Sequence, residues 1–216
     1  MTFSNLHPTA SDSIDRGVDM PGFGLRMHFA QGEEIFAQEE EADLVYQILQ
    51  GAVRTTRLLN DGRRQIGDFY YPGDLLGLEI GQHHRFSGEA LEACEILVVK
   101  RAAIKNLGEE GQRFERQIWA ATGLELERTQ EHLLLLGRKT AAERVAGFLV
   151  DIADRFGGEY TGLPMRRQDM ADYLGLTIET VSRMLTKLQA DGLVEFDGCR
   201  RFRLKNRRAM ALLAEN

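Results

Sequence analysis

Glu179, Ser182 and Arg183 place a carboxylate, a hydroxyl and a guanidinium within about one helical turn, at spacings of three and four. This chemistry suits recognition of base-pair edges, which offer fixed donor and acceptor patterns in the major groove. Glu179 can accept from cytosine N4, and Arg183 can donate in bidentate fashion to guanine O6 and N7. Ser182 is short enough to contact a thymine or its neighbour without excluding the helix. A good bidentate pair discriminates between bases by roughly 1–3 kcal/mol. The bland alternative is that Glu179 and Arg183, four apart, form a solvated ion pair on an ordinary helix surface.

The elements that must position these side chains are legible around them. The stretch Arg167 to Leu188, RQDMADYLGLTIETVSRMLTKL, reads as two short amphipathic helices flanking a turn at Gly175. Met170, Ala171 and Leu174 have core-facing spacing in the first helix, Gly175 permits the left-handed bend, and Thr177 can cap the second. Ile178, Val181, Leu185 and Leu188 follow helical spacing for burial in that second helix, which leaves the reading set on the face that enters a groove. Gly192 ends the helix, and LVEF, an Asp197-Gly198 turn and RRFRLK read as a β-hairpin, a wing. Arg166, Arg167, Thr177, Thr180, Arg201 and Arg203 are the expected contacts to a DNA backbone. Charge is distributed to match. From Tyr160 onward there are 10 Lys and Arg against 7 Asp and Glu, a net of +3, while the rest of the chain has 17 against 26, a net of −9.

Ahead of this winged helix-turn-helix, the fold class is α+β. Residues 1–20 lack periodicity and read as a flexible tail. Residues 21–105 read as a compact β domain, a roll or barrel, with strands LVYQILQ, AVRTTRLL, RQIGDFYY and ALEACEILVV separated by Gln50-Gly51, Asp61-Gly62 and Pro72-Gly73. Residues 106–137 form a long helix. A heptad frame puts Trp119, Leu126 and Leu133 at one seam position and Thr122, Thr129 and Leu136 at the other, the pattern of a parallel homodimer. The alternative is that the helix covers its own β domain, for which Leu124, Leu134 and Leu135 are available, and both can hold at once. Gly137 is expected to interrupt this helix as a hinge. Residues 138–216 then open with a Thr140–Glu143 capping box and a helix through Val145, Phe148, Leu149 and Ile152 that stops at Gly157-Gly158.

The 216 residues, 43% hydrophobic and 28% charged, carry no apolar run near the roughly 20 residues that span a bilayer, and Met1 to Met20 lack a signal-peptide apolar core. A cytoplasmic protein with no membrane partner is expected. Cys94 and Cys199 have no disulfide or zinc-ligand spacing. There is no nucleophile with a base at recognisable spacing and no phosphate-cradling glycine loop. The expectation is a non-enzyme without cofactor or metal. The adjacent His83 and His84 point in divergent directions in any strand or tight loop and read as solvated rather than as ligands. Cys94 reads as core. Cys199 has two readings: a redox-sensitive thiol, because Arg200, Arg201 and Arg203 would favour its thiolate, or a small packed side chain.

YPGDLLGLE at 71–79, LLLLGRKTAAERVAGFL at 133–149 and DYLGLTIETVSRMLTKL at 172–188 resemble the cyclic-AMP receptor protein and fumarate-nitrate regulator (CRP/FNR) family of bacterial transcription factors, and within it the FixK-type subgroup. The resemblance spans nearly the whole chain. It implies a cyclic-nucleotide-binding-like jelly roll for the β domain, a dimerisation helix and base reading by Glu179, Ser182 and Arg183. It also implies RNA polymerase as a partner and activation of low-oxygen respiration, nitrogen-fixation or denitrification genes. Ile178 stands where the cyclic-AMP branch has an arginine, whereas Ser182 follows the fumarate-nitrate branch, which implies a TTGAT-N4-ATCAA-like palindrome. The sensing features depart from the family. Residues 1–93 contain no cysteine for an iron–sulfur cluster. Gly73-Asp74 matches the glycine-acid turn of a cyclic-AMP site, but His83-His84-Arg85-Phe86 replaces the arginine and hydroxyl that hold the phosphate. Binding without a small-molecule effector is expected; the alternative is a regulator of the same family gated by a cyclic nucleotide or by redox.

Overall fold

The computed structural model describes residues 24–215, which divide into two compact units, one ending at Leu133 and the other beginning at Leu134. The tail expected over residues 1–20 lies outside the described residues. The first unit opens with β1 (Leu25–Phe29), β2 (Glu34–Phe36), β3 (Leu44–Gln50), β4 (Val53–Leu58), β5 (Arg64–Tyr70), β6 (Leu75–Leu76), β7 (Ser87–Ala90) and β8 (Cys94–Lys100). They pair antiparallel into two four-stranded sheets, ordered β1-β8-β3-β6 and β2-β7-β4-β5.

Side chains alternate across a strand, and the first sheet uses both of its faces. Tyr46 and Ile48 of β3, with Ile96 and Val98 of β8, join Phe36, Val53, Tyr70 and Ala90 of the other sheet in one core cluster. The intervening Val45, Leu97 and Val99 pack instead with Leu75, Ile104 and Phe114. Double burial accounts for the near-continuous apolar runs of these two strands. Gly51 turns β3 into β4 with φ 94°, and a Cβ there would lie 2.6 Å from both the Cys94 Sγ and the Ala93 carbonyl, so only glycine fits.

The segment ALEACEILVV is not one strand. Its first residue ends β7 in one sheet and its last six lie in β8 of the other, with Leu91 donating to the Ala52 carbonyl at 2.8 Å between them. An apolar run reports burial on both sides of such a corner and hides the corner itself.

A single turn, α1 (Arg101–Ile104), leads into α2 (Gly108–Arg138), 31 residues long. The helix runs through Gly137 without interruption. One glycine costs a helix interior only about 1 kcal/mol relative to alanine, too little to break a helix of this length. The break falls at Lys139–Thr140. Thr140 Oγ1 accepts from the Glu143 N–H at 3.4 Å and Glu143 Oε2 from the Thr140 N–H at 2.7 Å, the expected capping box.

The second unit continues with α3 (Ala141–Phe156), β9 (Thr161–Gly162), α4 (Arg167–Leu174), α5 (Ile178–Ala190), β10 (Val194–Asp197), β11 (Arg201–Leu204) and α6 (Arg207–Glu215). The strands form an antiparallel sheet ordered β10-β11-β9. The core draws Val145, Phe148, Leu149 and Ile152 from α3, Met170, Ala171 and Leu174 from α4, Val181, Leu185 and Leu188 from α5, Phe202 from β11 and Met210 from α6. The closing helix α6, absent from the sequence reading, packs on α3.

Candidate nucleic-acid interface

The entry to α4 is fixed by the buried Asp169, whose Oδ2 accepts from the Arg166 N–H at 2.9 Å. Its exit is Gly175, at φ 62° and ψ 38°, the left-handed conformation that ends a helix with little strain only at glycine. Leu176 N–H returns to the Ala171 carbonyl at 3.0 Å. Two residues later Thr177 caps α5, its Oγ1 accepting from the Thr180 N–H at 3.2 Å. The Thr177 hydroxyl thus caps the helix through one lone pair, at the end of the motif where a phosphate contact is expected. It and the Glu179 N–H hold the Glu179 carboxyl below its usual range, with the backbone contact the larger cause. Glu179 is thus an ionised acceptor at neutral pH.

Once Val181, Leu185 and Leu188 are buried, Glu179 and Arg183 are left exposed and Ser182 half-buried on the opposite face. Among the described residues no ion pair joins Glu179 to Arg183. Arg167 of α4 reaches across to donate to the Ser182 Oγ at 3.4 Å, so a residue expected only at the backbone lies against the reading set. Ile178, expected in the core, is 36% exposed. It occupies the first helical position, where the turn is not yet enclosed by α4. Thr180 is half-buried, and its Oγ1 lies 3.1 Å from that of Thr177.

The wing is less cationic than its sequence. Asp197 stands directly opposite Arg201 and Glu195 opposite Arg203 in the β10–β11 register. Arg201 Nη1 lies 3.3 Å from Asp197 Oδ2, while Arg203 donates to Glu159 at 2.7 Å and to Glu195 at 3.1 Å. Tyr160 lies beneath both guanidinium groups, 5.4 and 5.1 Å from its ring centre, and its hydroxyl donates to Glu195 at 2.9 Å. Arg166 and Arg167 are exposed at the other end of the motif. Cys199 is exposed at the hairpin turn, which removes the packed-side-chain reading; Cys94 is buried, its Sγ 3.3 Å from the Ala52 carbonyl.

The seam residues on α2 divide. Trp119, Leu126 and Leu133 are 78%, 59% and 70% exposed, and Thr129 is exposed. Thr122 is half-buried, with its hydroxyl donating to the Ile118 carbonyl at 2.8 Å. Leu136 faces inward, where a Cβ added to Gly175 would lie 3.3 Å from its Cδ2. The reverse face of the helix packs Phe114, Ile118 and Ala121 on the β roll. Further along that face Tyr70 Oη donates to Glu125 at 2.6 Å and Arg128 lies 3.5 Å from Asp74. The helix therefore covers its own roll and still presents an apolar stripe.

Inside the roll His84 corrects the solvated expectation. It is 1% exposed, stacked on Phe36 at 4.1 Å between ring centres, with Nδ1 3.3 Å from Glu79 Oε1. His83 and Arg85 are exposed, the divergent directions expected of neighbours. Phe86 lies over Gly67, where a Cβ would meet its ring at 2.9 Å. Among the described residues no group of three or more His, Cys, Asp or Glu is arranged to hold a metal ion, and no helix is long and apolar enough to cross a membrane.

A winged helix-turn-helix that follows a double-sheeted roll and a long helix along the chain defines a DNA-binding transcription regulator. Residues 143–213 match the Crp-like helix-turn-helix domain and residues 26–110 the cyclic nucleotide-binding domain. The chain belongs to the CRP/FNR family. It is 46% identical over 210 residues to the nitrogen fixation regulation protein FixK of Azorhizobium caulinodans, covering 94% of this chain and 85% of that protein. To the FixK of Rhizobium meliloti it is 45% identical over 176 residues, 81% of this chain and 80% of that one. The structure of FixK2 from Bradyrhizobium japonicum superposes with a TM-score of 0.82 at 44% identity, covering 88% of this chain and 96% of that chain.

Proposed function

We propose that this protein is a homodimeric, sequence-specific transcription activator that binds a TTGAT-N4-ATCAA-like palindrome without a small-molecule effector. The observation that carries this reading is the exposed Glu179 and Arg183, with the half-buried Ser182 between them, on the first turns of a capped helix and free of the Glu179–Arg183 ion pair that would neutralise the set. The exposed stripe of Trp119, Leu126 and Leu133 supports a self-associating helix, and a two-fold dimer demands an inverted repeat with recognition helices about 34 Å apart. The residues at the expected phosphate position support effector independence: His84 is packed against Phe36, Phe86 covers Gly67, and Arg85 is exposed. The β roll then serves as a scaffold for the dimer and for RNA polymerase. Similarity to nitrogen fixation regulators supports target genes of low-oxygen respiration, nitrogen fixation or denitrification, controlled in the cytoplasm.

The test is fluorescence anisotropy at fixed salt with ligand-free protein, comparing TTGAT-N4-ATCAA with a duplex carrying TGTGA half-sites. Tight, selective binding to the first is expected. Weak binding to both, rescued by a nucleotide, would replace the effector-free reading with a gated one.

A further inference from the structure

Arg144 sits in the first turn of α3, where the positive end of the helix dipole disfavours a cation. Its contacts point elsewhere. Nη2 donates to the Leu136 carbonyl in the last turn of α2, Nε to the Lys139 carbonyl in the connecting segment and Nη1 to the Leu174 carbonyl at the end of α4, each at 2.9 Å. The last carbonyls of a helix have no partner within it and carry its partial negative charge, so one planar guanidinium caps two helix ends and the strand of chain between helices. Lys139 beside it donates to the Ala214 carbonyl at the end of α6. Gly175, which starts the turn into the recognition helix, lies against the same cluster, since a Cβ there would meet Leu136 Cδ2 at 3.3 Å and Arg144 Nη1 at 3.5 Å.

We infer that Arg144 is a positioning residue for DNA recognition: it locks the turn before α5 to the last turn of α2, and so sets the separation between half-sites that the dimer accepts. The inference rests on the homodimeric, palindrome-binding reading. A base-reading residue alters which bases are preferred within a half-site. Arg144 touches no base; loosening it leaves that preference intact and blurs the distance between the two helices that carry it.

The experiment measures affinity for palindromes with spacers of three, four, five and six bases, together with helix content and thermal unfolding. The proteins are wild type, Arg144→Lys, Arg144→Gln and Gly175→Ala. Lysine keeps the charge but cannot reach three carbonyls in one plane, and alanine at Gly175 both strains the left-handed turn and presses on the cluster from the other side. Wild type is expected to favour one spacer by about tenfold or more, and the folded variants to favour it by only about two- to threefold, with base preference inside the half-site unchanged. Variants that bind more weakly but keep the full spacer preference would overturn the assignment, leaving Arg144 a stabilising residue only. A wild type indifferent to spacer length would instead remove the palindromic reading on which the inference stands.

Discussion

Arg203 and Glu195 face each other across the wing hairpin, with Nη2 3.1 Å from Oε2. The arginine that alternation in the sequence directs at a phosphate is held by this carboxylate and by Glu159. Glu159→Gln with Glu195→Gln should release it and steepen the salt dependence of DNA binding, since each phosphate neutralised adds about 0.9 to the slope of log K against log salt. Arg203→Ala should flatten the slope less than Arg167→Ala does. Titrations over a range of salt read both, and the reverse order would make Arg203 the principal phosphate contact.

Arg183→Ala should weaken a matched site by about 1–3 kcal/mol and relax preference at one guanine, leaving mismatched sites nearly unchanged. Arg167→Ala should lower affinity for every sequence and, because its guanidinium contacts Ser182, also relax the base that Ser182 meets. A panel of single-base substitutions in the duplex separates the two patterns; identical panels for both variants would refute the division.

The Asp68 carboxyl is pushed up to about 7, first by burial and then by the nearby Glu125 carboxylate, against an opposing pull from Arg128. Its ordinary value is 3.8. Between those values the folded protein holds the extra proton, so stability is retained at the acid end and falls as pH rises toward 7. Asp68→Asn cannot ionise and preserves an oxygen for the Phe69 N–H that Asp68 accepts at 2.8 Å. Its melting temperature should exceed that of wild type at pH 8, with the advantage shrinking steadily through pH 5 and gone only below about 3.8. A pH-independent difference in calorimetry would rule out Asp68 as the group that titrates.

Leu126→Asp with Leu133→Asp should abolish the dimer and specific DNA binding together while the monomer stays folded, because both side chains are exposed in the single chain. Sedimentation and circular dichroism read the outcome; a dimer that survives both changes would place the interface elsewhere.

The recognition motif was legible because its determinants are local: Met170, Ala171 and Leu174 at burial spacing, glycine at the left-handed turn and threonine at the cap. Strand β3 was legible to the residue. The three-residue β2 and two-residue β6 were not, since so short a strand shows no alternation. His84 was misread because the pair His83-His84 says that the two diverge, without saying that one of them meets Phe36. Arg144 left no signal at all. Its partners are main-chain carbonyls, the farthest of them 30 residues away, and no side-chain pattern encodes a carbonyl.

The two-faced sheet of the β roll has a consequence for how the protein is made. A nascent chain that has emerged only as far as Lys100 has all eight strands yet leaves Val45, Leu75, Leu97 and Val99 without the cover that Ile104 and Phe114 provide. Such an intermediate exposes an apolar sheet face, the kind of surface that aggregates or recruits chaperones during synthesis. The beginning of the long helix is therefore part of the roll's folding unit, and a fragment cut at the last strand should come out of the cell insoluble.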